Sequence, residues 1–228
     1  MNTLKNLMNV FFPRSCKGCL TLLLLNEKTI CSNCRHELPL TNHYRNPENE
    51  TFKRFYGRLP LQHASSIVYF HKKGIAQQLI HQLKYKGAQE VGTFFGTYYS
   101  EFLLEVPSLN DVSEIIPVPL HPKKTRERGY NQVTEFGKTL ASGLNIPYND
   151  TLLHRNFYSN TQTKKNILGR TELTSELFGI KYSEKDYGKH FLLIDDVITT
   201  GSTLEACAKT LLKIPKVKIS IVTIAYAQ

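Results

Sequence analysis

From His63 onward, short apolar runs alternate with stretches in which apolar residues return every third or fourth position. Residues 66–70 (SIVYF) read as a strand. Ile75, Leu79, Ile80 and Leu83 follow at helical spacing, with Gly87 as a stop. Residues 91–104 give a second helix, rich in Phe and Tyr and closed by Pro107. Residues 114–118 (EIIPV) give a short buried strand and residues 131–144 a third helix. Leu152 and Leu153 form a strand ahead of a polar stretch without regular pattern. Residues 191–194 (FLLI) lack alternation, as expected of a parallel strand covered on both faces. Leu204, Ala208, Leu211 and Leu212 mark the next helix, and residues 218–226 (KISIVTIAY) a last strand. This order predicts an α/β domain with a mostly parallel sheet flanked by helices.

The pattern changes before residue 61. Residues 41–60 are polar, punctuated by Pro and Gly, and read as a linker. Residues 1–40 hold four of the five cysteines and read as a separate small module. Leu4, Leu7, Met8 and Phe11 make an amphipathic first helix, suited to packing on the protein itself. The same stretch lacks the unbroken apolar core and small-residue cleavage site of a secretory signal. The longest purely apolar run, residues 22–25, falls far short of the ~18 residues a membrane span needs. A cytoplasmic protein without stable membrane insertion is the expectation.

Lys and Arg outnumber Asp and Glu by 29 to 19, a net charge of +10. Four thiolates around a zinc ion would lower it to about +8. Either value favours anionic partners. A phosphorylated small molecule needs only a local basic cluster, nucleic acid profits from the whole surface, and solubility alone is the plainer alternative.

Cys16, Cys19, Cys31 and Cys34 form C-x2-C-x11-C-x2-C. Each pair can make a tight knuckle, and two knuckles complete a tetrahedral four-sulfur site for Zn²⁺. Gly18 falls inside the first knuckle, where a left-handed backbone is expected. Disulfides need an oxidising compartment, and a redox C-x2-C pair leaves the duplicate unexplained. Four thiolates leave no open coordination position, so the role is structural. Cys207, between Ala206 and Ala208 on a predicted helix, reads as a small core residue.

The most informative stretch is FLLIDDVITTGSTL, residues 191–204. A strand would bring Asp195, Asp196 and a small-residue turn to the carboxyl edge of the sheet, where open α/β domains bind ligands. Thr199, Thr200, Gly201, Ser202 and Thr203 would offer backbone N–H groups, hydroxyls and a helix N-terminus to an anion. The carboxylates would accept from the two adjacent hydroxyls of a ribose. Phosphate beside a diol describes a ribose 5-phosphate. A capped strand–turn–helix with solvated acids is the structural alternative, and the segment lacks the Gly-Lys-Ser/Thr ending of a P-loop.

In IIPVPLHPKKTRERGYNQ (115–132) a strand exits through Pro117 and Pro119 into Lys123, Lys124, Arg126 and Arg128, suited to a diphosphate or else a solvated basic loop. Gly129 supplies a turn, and Asn131 and Gln132 cap a helix or touch ligand. Residues 154–170 are too long for an ordinary connection, and functional lids are drawn from such loops. Lys84 and Lys86 read as the solvated last turn of an apolar-faced helix.

The segment 191–204 resembles the 5-phosphoribosyl diphosphate (PRPP) motif of class I phosphoribosyltransferases. Together with FFPRSCKGC, HQLKYKG (81–87), the 115–132 segment, Gln162 and Arg170, it makes the chain similar to the ComF family of competence-associated proteins. The resemblance implies a class I phosphoribosyltransferase fold over residues 61–228 behind the zinc module of residues 1–40. It implies PRPP bound with Mg²⁺, by Asp195, Asp196 and residues 199–203, with Lys123 and Lys124 on the diphosphate. Arg126, Arg128 and Arg170 would stabilise departing pyrophosphate, and Asp196 is a candidate base. Residues 154–170 would be the flexible loop, with Gln162 nearby. Leu173 stands where such loops carry asparagine, while Arg170 and Phe178 fit. The other function implied is a non-catalytic nucleotide sensor, associated with single-stranded DNA or the competence machinery.

Overall fold

Every strand of the main sheet faces its neighbour in the same direction. The computed structural model describes residues 14–156 and 177–228. In it β1 (Leu61–Phe70), β2 (Val112–Pro117), β5 (His190–Ile198) and β6 (Lys218–Ala227) pair in the order β1-β6-β5-β2, all parallel. Between β2 and β5 in sequence, β3 (Leu153–Arg155) and β4 (Phe178–Ile180) form a separate antiparallel pair. The helices are α1 (Ser32–His36), α2 (Glu50–Lys53), α3 (Ile75–Tyr85), α4 (Glu90–Leu103), α5 (Pro122–Arg128), α6 (Thr134–Leu144) and α7 (Ser202–Leu211).

The sheet is covered on both faces, which explains the unalternated FLLI run. Leu192 and Ile194 pack with Leu79 and Leu83 of α3, Phe95 of α4 and Phe136 and Leu140 of α6. Phe191 and Leu193 pack on the other face with Leu204, Cys207 and Leu211 of α7 and with Leu153 and Phe178. Burial of each such side chain contributes about 1.5–3 kcal/mol.

Two expectations change. β1 begins at Leu61 rather than Ser66, because its polar residues are buried and satisfy one another. The His43 ring bonds the Thr51 hydroxyl at 2.9 Å, Thr51 the Ser66 hydroxyl at 2.7 Å, and Ser66 the Thr223 hydroxyl at 2.6 Å. Period-two alternation is invisible where a sheet buries hydroxyls in pairs. Residues 41–60, read as a linker, instead carry a 3-10 turn (His43–Arg45) and α2, both lying on β1. Asn49 caps α2 by accepting from the Phe52 N–H and donates to the Ala64 carbonyl, and Phe55 is buried in the α7-side core. The polar composition that suggested a linker is the composition of caps.

The cysteine segment also joins the main core. Cys16, Ile30, Cys34 and Leu38 belong to the cluster that holds α3 and α4, and Lys17 pairs with Glu90 of α4 at 3.2 Å. Residues 39–41 then run along the free edge of β1, where the Tyr69 N–H donates to the Pro39 carbonyl and the Thr41 N–H to the Ile67 carbonyl.

Candidate functional site

Strands β2 and β5 end side by side, and a cleft of about 300 Å³ opens beyond their carboxyl ends. β5 runs through the paired acids, so their side chains point to opposite faces. Asp196 is buried and turns toward α3, where it meets Lys84 at 3.0 Å. Asp195 is partly buried, and its charge acts on Cys207 of α7. Burial, and then the Asp196 carboxylate beside it, push the Asp195 carboxyl well above the ordinary carboxylate range.

The turn after β5 ends at Gly201 with φ 78°, the residue before α7. The N-cap Gly201 has no side chain to cap the helix, and only the Ser202 N–H meets a hydroxyl, that of Thr200 at 3.4 Å, which leaves the next N–H groups for an anion. The Thr200 and Ser202 hydroxyls lie 2.9 Å apart and are exposed with Thr199 and Thr203. Glycine is required at 201 twice over, because a Cβ there would also lie 2.9 Å from the Phe55 ring.

The basic segment is helical where a loop was expected. His121 caps α5 by accepting from the Lys123 N–H, Pro122 is its first residue, and Gly129 closes it with φ 77°. Its helical turns divide the four bases. Lys124 and Arg128 line the cleft, while Lys123 and Arg126 are exposed and do not line it. Arg128 donates to Gln132 at 2.8 Å and stacks over the Tyr85 ring at 5.2 Å. Asn131 holds the strand exit, donating to the Val118 carbonyl.

The cleft thus brings together Asp195, Asp196, Thr203, Lys124 and Arg128 from the expected set. It adds Lys84, His121 and Arg155, which sequence reading did not place there. Lys84, read as solvated, is instead ion-paired in the cleft. Arg170, Gln162 and Leu173, like Leu4, Leu7, Met8 and Phe11, lie outside the described residues.

A divalent cation was expected with the ligand, and the carboxylates do not fit one. One Asp196 oxygen is taken by Lys84, and the other is sealed from solvent without a partner among the described residues. Asp195, with its carboxyl shifted toward the neutral form, is a poor donor for a hard ion.

The four thiols fit a metal well. Cys16, Cys19, Cys31 and Cys34 bring their sulfurs within 4.8 Å of one another, and the Cys19 and Cys31 sulfurs are 3.7 Å apart. Tetrahedral zinc needs about 3.8 Å between sulfurs. The N–H groups of Gly18 and Cys31 donate to the Cys16 sulfur, and that of Cys34 to the Cys31 sulfur. The Thr21 hydroxyl, and then its backbone, hold the Cys19 thiol down at about 6. Gly18 is needed for closeness rather than a left-handed turn. Its added Cβ would lie 2.9 Å from the Cys34 sulfur, whereas the positive φ falls at Leu20. Cys207 is a buried core residue of α7, its thiol pushed far up by burial.

Residues 134–228 match the phosphoribosyl transferase domain family. Competence protein F of Haemophilus influenzae is 33% identical over 114 residues, half of this chain and half of that one. Competence protein ComFC of Bacillus subtilis is 27% identical over 206 residues, 84% of this chain and 81% of that one. DNA utilization protein YhgH of Escherichia coli O157:H7 is 29% identical over 141 residues, 59% and 60% of the two chains. The chain therefore spans only about half to three-fifths of two of these relatives. The domain match and the doubly covered parallel sheet together give the chain a class I phosphoribosyltransferase fold, with a four-cysteine cluster near its N-terminus.

Proposed function

The chain belongs to the ComF family, and on that premise we propose that it binds 5-phosphoribosyl diphosphate and transfers its ribose 5-phosphate with release of pyrophosphate. The observation that carries this reading is the uncapped start of α7 beside two carboxylates, across a cleft from Lys124, Arg128 and Arg155. The residue 199–203 turn takes the 5-phosphate through N–H groups and hydroxyls. Asp195 accepts from one ribose hydroxyl, and Asp196 accepts from the other once Lys84 turns from it toward the diphosphate. Lys124, Arg128 and Arg155 hold the diphosphate and stabilise its growing charge as the C1–O bond breaks. A nitrogen nucleophile forms the new bond to C1 from the opposite face and gives up a proton. Arg170 belongs to the same reading as a lid residue, and the four thiolates hold structural zinc. Work in the cytoplasm on DNA uptake completes the reading, and its DNA part is supported by relatives named for competence and DNA utilization.

A second reading rests on Lys123 and Arg126, which are exposed and do not line the cleft. In it the cleft senses a nucleotide, and these bases contact single-stranded DNA with an affinity that falls steeply with salt.

The test compares PRPP with inorganic phosphate on Asp195→Asn/Asp196→Asn by calorimetry. PRPP affinity should fall by on the order of 2–4 kcal/mol, because charge-assisted hydrogen bonds are lost, while phosphate keeps its turn. Equal losses for both ligands would mean a collapsed turn, and no loss for either would mean that the acids do not touch ligand. Ligand binding without pyrophosphate release, across a panel of acceptor bases, would select the sensor.

A further inference from the structure

Among the described residues, Lys84 is the one cation in an ion pair with the paired acids. Its ammonium lies 3.0 Å from Asp196 Oδ1, with the Lys84 side chain 22% exposed and that of Asp196 6% exposed. Contacts on both sides hold its backbone in place. The Tyr130 hydroxyl donates to the Leu83 carbonyl, and the Arg128 guanidinium covers the ring of Tyr85. Leu83 itself is fully buried. The backbone of the last turn of α3 is thus held by α5 and the residues just after it, which places Lys84 beside Asp196 while its side chain stays free to turn.

A divalent ion at this carboxylate would need open oxygens and room for several waters. Asp196 offers one oxygen already in an ion pair and one that solvent does not reach. The cleft has cations of its own instead, since Lys124, Arg128 and Arg155 line it with Lys84. All four are on hand for a polyanion, and an ammonium can turn from carboxylate to phosphate oxygen over a short distance.

We propose that Lys84 does here the work otherwise assigned to Mg²⁺: it balances Asp196 and shares the charge of the bound diphosphate, so that ligand binding does not depend on a divalent cation. This rests on the reading of the cleft as a PRPP site.

Calorimetry with PRPP, in Mg²⁺ and in EDTA, on the full chain and on Lys84→Met and Lys84→Arg, tests it. The unaltered protein should bind within about threefold in the two media. Lys84→Met should lose about tenfold or more in EDTA and recover part of that loss with Mg²⁺. Lys84→Arg keeps the charge and should stay near the unaltered protein in EDTA, which guards against misfolding as the cause. A tenfold loss in EDTA by the unaltered protein overturns the proposal, as does a loss in Lys84→Met that Mg²⁺ leaves unchanged. If the unaltered protein binds PRPP in neither medium, the reading of the cleft falls, and this inference with it.

Discussion

Asp195 and Asp196 show how far one strand position can divide two identical side chains. The first shares the face of α7, where burial raises its carboxyl, and the second meets an ammonium on the face of α3. A buried histidine on β1 gives the same physics a measurable form. His63 is 4% exposed. Burial first, then the charges of His190 and His43, lower it from 6.5 to about 4. The unfolded chain therefore binds the extra proton first as pH falls. The stability owed to neutral His63 is complete above pH 6.5 and is lost as pH drops from there through about 4, a difference of about 3 kcal/mol at most. Denaturant titrations at pH 7 and 4.5 should show His63→Gln losing about 2 kcal/mol less than the unaltered chain between the two. Parallel losses would clear His63 of any part in acid sensitivity. At this scale the cysteines and paired acids were legible because their chemistry is written in adjacent positions. Lys84 and Arg155 were not, since each enters the cleft only through folding, and Lys84 lies 112 positions before the acid it meets.

Among elements, the entry to α7 is held from outside by the segment read as a linker. Phe55 lies against Gly201, and Arg58 donates to the Thr200 carbonyl and pairs with Glu205. Gly201→Ala combines a left-handed backbone with a Cβ pressed on the Phe55 ring, and should cost about 1–3 kcal/mol in urea unfolding. Phosphate affinity should fall with it. Gly201→Ala/Phe55→Leu should recover part of the stability but not the backbone share. A neutral Gly201→Ala would show that the turn relaxes freely. Sequence patterns found the interior helices and apolar strands within a few residues. They missed α5, whose bracket of His121, Pro122 and Gly129 was present but overshadowed by four basic residues. They also divided at residues 41–60 a region that packs as one body with β1.

Over the whole molecule, the cysteine centre and the α/β domain share one core, since Cys16 and Cys34 pack with residues of α3 and α4. Metal removal should therefore lower the thermal transition of the entire chain rather than melt a detached module. Apparent binding energies of structural zinc, about 10–16 kcal/mol in isolated modules, set the scale. Chelation, or Cys31→Ser, should give one transition at lower temperature by calorimetry, with about one zinc released per chain. A sheet transition unmoved by chelation would separate the two bodies. The placement of β6 bears on the order of events during synthesis. Its neighbour β1 is made long before it, and Ser66 waits 157 positions for Thr223. At 5–20 residues per second, β1 stands on the ribosome without its ladder partner for roughly 8–30 s. During that interval the chain from Pro39 to Thr41 already covers the opposite edge of β1, leaving one side open for a strand that must slide in between β1 and β5.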